Sequence, residues 1–269
     1  MRQRSLLWLP AVFLGVLADD HAASSVSTLE FKNRFVESGI VPEVIAALDP
    51  SVSFYASYKA GDDGHDELLV PGSTLTVAEA AMPFEFSVEN LNNATNVTAQ
   101  TRFLIYLLDA DAPDRNSPTA RNQRHFLAGN YTLSGVNSTV LPSAQVLAVP
   151  DGQLRPFTPF IPPNPAPNTG VHRYIYALYI QPARFNTAGF ETSGMEADIQ
   201  NWNLSRWRTQ LGLGPAIGAT FFTIDTNTNS SGNATTSVGN GTSTGATILP
   251  GQASWVTMAA LFASLLALL

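Results

Sequence analysis

The stretch Phe103-Leu104-Ile105-Tyr106-Leu107-Leu108-Asp109-Ala110-Asp111-Ala112-Pro113 decides how this chain is read. Its apolar run is long enough for a buried strand and too short for a membrane span. At Asp109 the run breaks into Asp-Ala-Asp-Ala-Pro. Side chains alternate faces along a strand, so Asp109 and Asp111 share a face if the strand continues through both. Pro113 cannot donate to a ladder and ends the strand. A polar loop follows over residues 116–124, and residues 125–130, beginning at His125, read as a returning strand. Two carboxylates at one strand end, with a histidine opening the next strand, define a shared polar site.

Outward from this stretch the chain is mostly strand. Residues 51–58 and 83–89 alternate apolar and polar, and residues 68–77 give one or two short strands around Pro71-Gly72. Residues 131–149 have mixed strand character. Residues 150–170 carry seven prolines, which predicts a long surface loop and neither a helix nor a central strand. The aromatic and β-branched run 171–180 is a buried strand with His172 and Arg173 at its mouth. Leu204, Trp207 and Leu211 mark an amphipathic helix closed by Gly212, and residues 219–224 form a last strand. Near the start, residues 29–48 have helical spacing broken at Gly39 and Pro42, with Pro42 suited to the first turn of a second short helix. The pattern predicts a mainly β domain of two packed sheets with short peripheral helices.

Composition narrows the function classes. The chain has 269 residues, a formal charge of −7 and only 13% charged residues, which argues against an electrostatic nucleic-acid binder. It has no cysteine, hence no disulfide, thiol nucleophile or zinc-thiolate cluster. Arg2 and Arg4 precede an apolar run ending at Ala18, the pattern of a signal peptide over residues 1–18. At the other end, an uncharged apolar tail follows a polar spacer and a run of small residues, the pattern of a glycolipid (GPI) anchor signal. Asn240 is the expected attachment residue. Sequons stand at Asn93, Asn96, Asn130, Asn137, Asn203, Asn229, Asn233 and Asn240. Residues 226–247 are almost all Thr, Asn, Ser, Gly and Ala and read as a glycosylated stalk. The expected folded domain is residues 24–225, followed by the stalk and by a removed tail over residues 248–269. The targeting signals imply passage through the secretory pathway to the cell surface.

Two motifs now carry a resemblance. Asp109-Ala110-Asp111-Ala112-Pro113 leads through Arg121 to His125-Phe126, and Gly170-Val171-His172-Arg173-Tyr174 follows about 50 residues later. In these, and in Leu211-Gly212-Leu213-Gly214-Pro215 before Ala219-Thr220-Phe221-Phe222, the chain resembles the phosphatidylethanolamine-binding proteins over residues 29–224, in the manner of a fungal-type member. The resemblance implies a β-sandwich with short helices and a small anion-accepting pocket lined by Asp109, Asp111, His125 and His172. The chain departs from the family pattern at Ala110, where a proline is usual, and at Arg124, where the first of two paired histidines is usual. Arg124 would add positive charge to the pocket or face solvent.

The expected function is non-catalytic binding of a phospholipid head group or other small anionic ligand by a monomer, without cofactor or catalytic residue. Histidines donate to phosphate, and nearby carboxylates fix the histidines or meet an ammonium group. A second reading is a protein-interaction module, because some fungal relatives of this family inhibit serine carboxypeptidases. A third is a metal-dependent hydrolase using the same four side chains as ligands.

Overall fold

Both faces of the decisive run are covered. Phe103–Asp109 is strand β5. Phe103, Ile105 and Leu107 enter one core, while Leu104, Tyr106 and Leu108 enter another. A strand buried on both faces is apolar throughout, which is why this run does not alternate. β5 lies between β6 (Gln123–Asn137) and β9 (Val171–Ile180) and is antiparallel to both.

The computed structural model describes residues 23–59, 66–150, 154–186 and 199–227. All belong to the first of two units, Met1–Ser231; the second, Gly232–Leu269, lies outside the described residues. Also outside them are the expected signal peptide, the stalk beyond Asn227, His65, and the sequons Asn229, Asn233 and Asn240.

The remaining strands are β1 (Ser53–Tyr58), β2 (Glu67–Leu69), β3 (Ser73–Thr74), β4 (Glu85–Glu89), β7 (Gln145–Ala148), β8 (Arg155–Thr158) and β10 (Gly218–Asp225). Their order is β2-β1-β4-β7-β6-β5-β9-β10-β3, with β8 added beside β6. The long β6 joins two layers. Its first part pairs with β5 and β8, and its later part pairs with β7. The layers face each other across a core in which Phe54, Phe86 and Val88 meet Tyr176, Leu178 and Phe222. Phe86 packs edge-on to Tyr176 at 5.4 Å, and the hydroxyls of Tyr58 and Tyr176 bond at 3.0 Å. The mainly β, two-layer architecture is therefore as the sequence pattern predicts.

Helices cover the other face of β5 and β9. α1 (Thr28–Glu37) starts at Ser27, whose side chain accepts from the Glu30 amide, and buries Phe31 and Phe35 at i and i+4 spacing. Gly39 ends it in the left-handed region. The next segment, α2 (Ile40–Glu43), departs from expectation. Val41 is extended, at φ −103 and ψ 124, because proline disfavours helical backbone in the residue before it. It forms a kinked turn in place of a regular second helix. α3 (Leu204–Leu211) buries Trp207 and Leu211 and ends at left-handed Gly212, as its spacing predicts.

Two other expectations need correction. Residues 150–170 are not one loop: Arg155–Thr158 forms β8 along β6. Pro156 is tolerated because, among the described residues, β8 pairs on one side only. Asn130, expected as a sequon, sits inside β6 and is buried. Its Oδ1 accepts from Arg102 Nη1 and Gln181 Nε2, so a glycan there is incompatible with the fold. Asn93, Asn96, Asn137 and Asn203 are all exposed.

Candidate functional site

The end of the sheet that carries Asp109 and His172 gathers three of the four expected side chains. Asp109 closes β5, His172 opens β9 and His125 opens β6. Asp109 pairs across the sheet with Tyr174 on one side and Gln123 on the other. His172 Nδ1 lies 2.8 Å from Asp109 Oδ2, so the ring donates to the carboxylate through Nδ1. The other oxygen, Oδ1, accepts from the Asp111 amide at 2.8 Å. His172 Nε2 faces the Thr169 hydroxyl at 2.9 Å.

His125 reaches this group through an irregularity. The β5–β6 register pairs Leu108 with Arg124 and Leu107 with Phe126, leaving His125 as the extra residue of a bulge. A bulge re-aims a side chain without moving the rest of the strand. The His125 ring thereby meets Tyr174 edge-on at 5.4 Å, while Arg124 turns to the opposite face of the sheet, against Trp202. His125 Nδ1 donates to the Ile161 carbonyl at 2.9 Å, and Nε2 lies 3.5 Å from the Gln123 amide nitrogen. Burial lowers the His125 pKa; the Ile161 hydrogen bond and the Asp109 charge oppose that shift, and His172 adds to it. Burial raises the Tyr174 phenol, and the neighbouring Asp109 carboxylate raises it further.

Asp111 does not join the group. The strand ends at Asp109, and the chain turns before Asp111, so the two carboxylates do not share a face. Asp111 is fully buried against Arg173: Oδ1 accepts from Nη2 at 2.7 Å, and Oδ2 from Nε at 2.8 Å and from the Arg173 amide at 2.9 Å. Arg173 reaches on to the Ser38 carbonyl and to Glu43 at 3.0 Å, and Arg121 holds Glu43 at 2.6 Å. Burial alone would lower the Arg173 pKa, but its bonds and charge interaction with Asp111 outweigh it and raise the value. Hydrogen bonds from Arg121 and Arg173 lower the Glu43 pKa. This ion network ties the α1–α2 corner to the loop after β5. Among the described residues, no three His, Cys, Asp or Glu side chains converge as a metal site.

Comparison with known proteins now adds the family. The phosphatidylethanolamine-binding protein profile matches residues 65–222. This chain belongs to the phosphatidylethanolamine-binding protein family. A 26 kDa secreted antigen of Toxocara canis is 26% identical over 193 residues, covering 70% of this chain. The match spans 62% of that relative's own length. A carboxypeptidase Y inhibitor, solved with its cognate proteinase, superposes with a TM-score of 0.57 at 19% identity, covering 74% of this chain and 97% of its own. A phosphatidylethanolamine-binding protein from Plasmodium vivax superposes at 0.51 with 15% identity, covering 72% and 96%. At these identities the superpositions establish the fold.

Within the family pattern, the departure at Arg124 has a structural explanation. Arg124 neither faces solvent nor adds charge to the site. It is buried on the helix-covered face of the same sheet, its guanidinium 4.1 Å over the Trp202 ring and its Nε bonded to Thr158 Oγ1. Sequence reasoning missed Gln123, Ile161, Thr169 and Tyr174 as neighbours of the two histidines. Tyr174 alone had a signal, since it shares β9 and its face with His172. Ile161 and Thr169 come from the proline-rich segment, whose path no periodicity reveals.

Proposed function

We propose that this member of the phosphatidylethanolamine-binding protein family is a non-catalytic, cell-surface binder of phosphate-bearing head groups, with Asp109, His125 and His172 as the binding side chains. The observation that carries the reading is the convergence of three side chains from three strands beside Tyr174. A phosphate accepts hydrogen bonds from imidazole N–H groups, more strongly once the rings are protonated. The Asp109 carboxylate holds His172 by Nδ1 and leaves Nε2 for the ligand. An ammonium group of a zwitterion balances the same carboxylate. Asp111 belongs to the scaffold.

In the described conformation the site is closed. Asp109 and His125 are 3% exposed and His172 is 1% exposed. A head group enters by displacing Thr169 from His172 Nε2 and Ile161 from its place beside His125. The segment carrying Ile161 and Thr169 is thus the wall that moves. Non-catalytic binding fits a site whose carboxylate is already committed to the Asp111 amide and to His172.

Surface display rests on the N-terminal apolar run, the apolar C-terminal tail and the sequons. The relative described as a secreted antigen agrees with this route. GPI anchoring through the tail, with Asn240 as the attachment residue, completes the proposal. A second reading, inhibition of a carboxypeptidase, is favoured by the fold likeness to the carboxypeptidase Y inhibitor.

Native mass spectrometry of the protein with phosphoethanolamine tests the first reading. One bound ligand per chain, lost in His125→Ala and in His172→Ala with the fold retained, is the expected result. Unchanged binding in both variants rejects the site. Inhibition of carboxypeptidase Y with no head-group binding transfers the function to the second reading.

A further inference from the structure

Beyond the site, the loop between β3 and β4 presents apolar side chains to solvent. Among the described residues seven large apolar side chains are exposed, and three of them, Val77 (44%), Met82 (42%) and Phe84 (39%), fall in this one loop. Ala78 and Ala81 beside them are exposed as well. Lys59 lies against the Phe84 ring, its Nζ 4.0 Å from the centroid. Exposed apolar side chains gathered in one place mark an interaction surface, whereas scattered ones do not. An aromatic ring, aliphatic side chains and a flanking lysine are the composition that settles at the boundary between lipid and water.

The topology fixes where this loop stands. β3 runs parallel to β10 at Phe222 and Thr223, and Leu75 continues the pairing through the Thr223 carbonyl. The chain therefore leaves β3 toward the end of β10, where Asp225 pairs with Val171 beside His172. The β3–β4 loop is on the same end of the domain as the Asp109–His172 group. Exposed Pro162 and Pro167 of the proline-rich segment rim that end too. The chain also leaves the domain there: Thr226 donates to the Gly170 carbonyl at 2.9 Å and accepts from the Thr169 amide. On the anchoring proposed above, residues 228–239 separate Asn227 from the attachment residue Asn240. A lipid anchor attached there keeps this end of the domain near the bilayer.

We propose that the β3–β4 loop docks this end of the domain onto a lipid surface, with Val77, Met82 and Phe84 entering the interfacial layer. The net charge of −7 leaves no general attraction to anionic lipid, so the surface it fits is neutral or zwitterionic. Docking turns the Asp109–His125–His172 group toward the membrane. The proposal goes beyond head-group binding and stands without it, because apolar insertion requires no ligand in the site.

The absence of cysteine makes the test direct. Met82→Cys is labelled with an environment-sensitive dye in the full chain, and the chain is reconstituted into vesicles of phosphatidylcholine alone. Val136→Cys, 62% exposed at the far end of β6, is the control. Emission from position 82 shifts to shorter wavelength and is quenched by a lipid-borne nitroxide, while position 136 does neither. Adding Phe84→Glu abolishes the shift at 82, with circular dichroism unchanged. Equal responses at 82 and 136, or no response at 82, overturn the proposal. A shift that appears without vesicles and grows with protein concentration assigns the patch to self-association and overturns it as well.

Discussion

Replacing Asp111 with asparagine separates scaffold from site. The Asp111 carboxylate is fully buried and receives the Arg173 amide, Nε and Nη2. Asp111→Asn keeps the shape, removes the charge, and turns an amide NH2 toward donors on Arg173. The Arg173 guanidinium, 1% exposed, is left with Glu43 as its remaining carboxylate partner among the described residues. Breaking one side of a buried ion pair costs about 3–5 kcal/mol. For a domain of this size each kcal/mol moves the melting temperature by about 2–4 °C, so a fall of about 6–20 °C is expected. Calorimetry and urea unfolding of the full chain measure it. Glu43→Gln is the contrast: Glu43 is 45% exposed, solvent screens its pairs, and a loss of about 0–1 kcal/mol follows. Asp111→Asn combined with Arg173→Met recovers part of the loss, because the uncompensated buried charge is gone. A melting temperature unchanged in Asp111→Asn, together with lost head-group binding, would refute the division made here and return Asp111 to the site.

Other outcomes follow from the same geometry. His125 is held neutral by burial, its folded pKa below the unfolded value of about 6.5. The unfolded chain therefore binds more protons in that window, so stability is full above about pH 6.5 and falls as pH drops toward the folded pKa. His125→Gln flattens that part of the stability–pH curve measured by urea unfolding. Arg124→Lys loses the planar stack on Trp202 and the bond from Nε to Thr158, lowering stability by about 1–3 kcal/mol in the same assay, with head-group binding unaffected. Asn130→Gln leaves the number of glycans unchanged by intact mass, whereas removing Asn93, Asn96, Asn137 or Asn203 deletes one glycan wherever that sequon is used.

The fold was legible because its central strands are chemically unambiguous. The runs 103–108 and 174–180 are apolar on both faces, which suits a strand buried on both sides. The two motifs then marked one end of those strands. What stayed hidden depended on backbone detail. Nothing in Gln123-Arg124-His125-Phe126 announces a bulge, yet the bulge decides that His125 faces the site and Arg124 does not. The spacing of Asp109 and Asp111 gave them a common face only while the strand lasted, and it stops at Asp109, two residues short of Asp111. Arg173 was visible at the strand mouth, but its partner was not, since the pairing closes over 62 residues of sequence. The proline count correctly ruled out a helix and a central strand among the described residues between 150 and 170. It could not show that a prolyl edge strand, β8, would pair with β6.

The central claim is that a head group meets His125 and His172. The chain contains four histidines, His21, His65, His125 and His172, so the imidazole C–H resonances in a proton NMR spectrum are few enough to assign by single substitution. Titration with phosphoethanolamine is the most direct test. The account predicts saturable shifts of the His125 and His172 resonances with one shared dissociation constant, while His21 and His65 stay in place. Shifts confined to His21 or His65, or none at any of the four under saturating ligand, would contradict it.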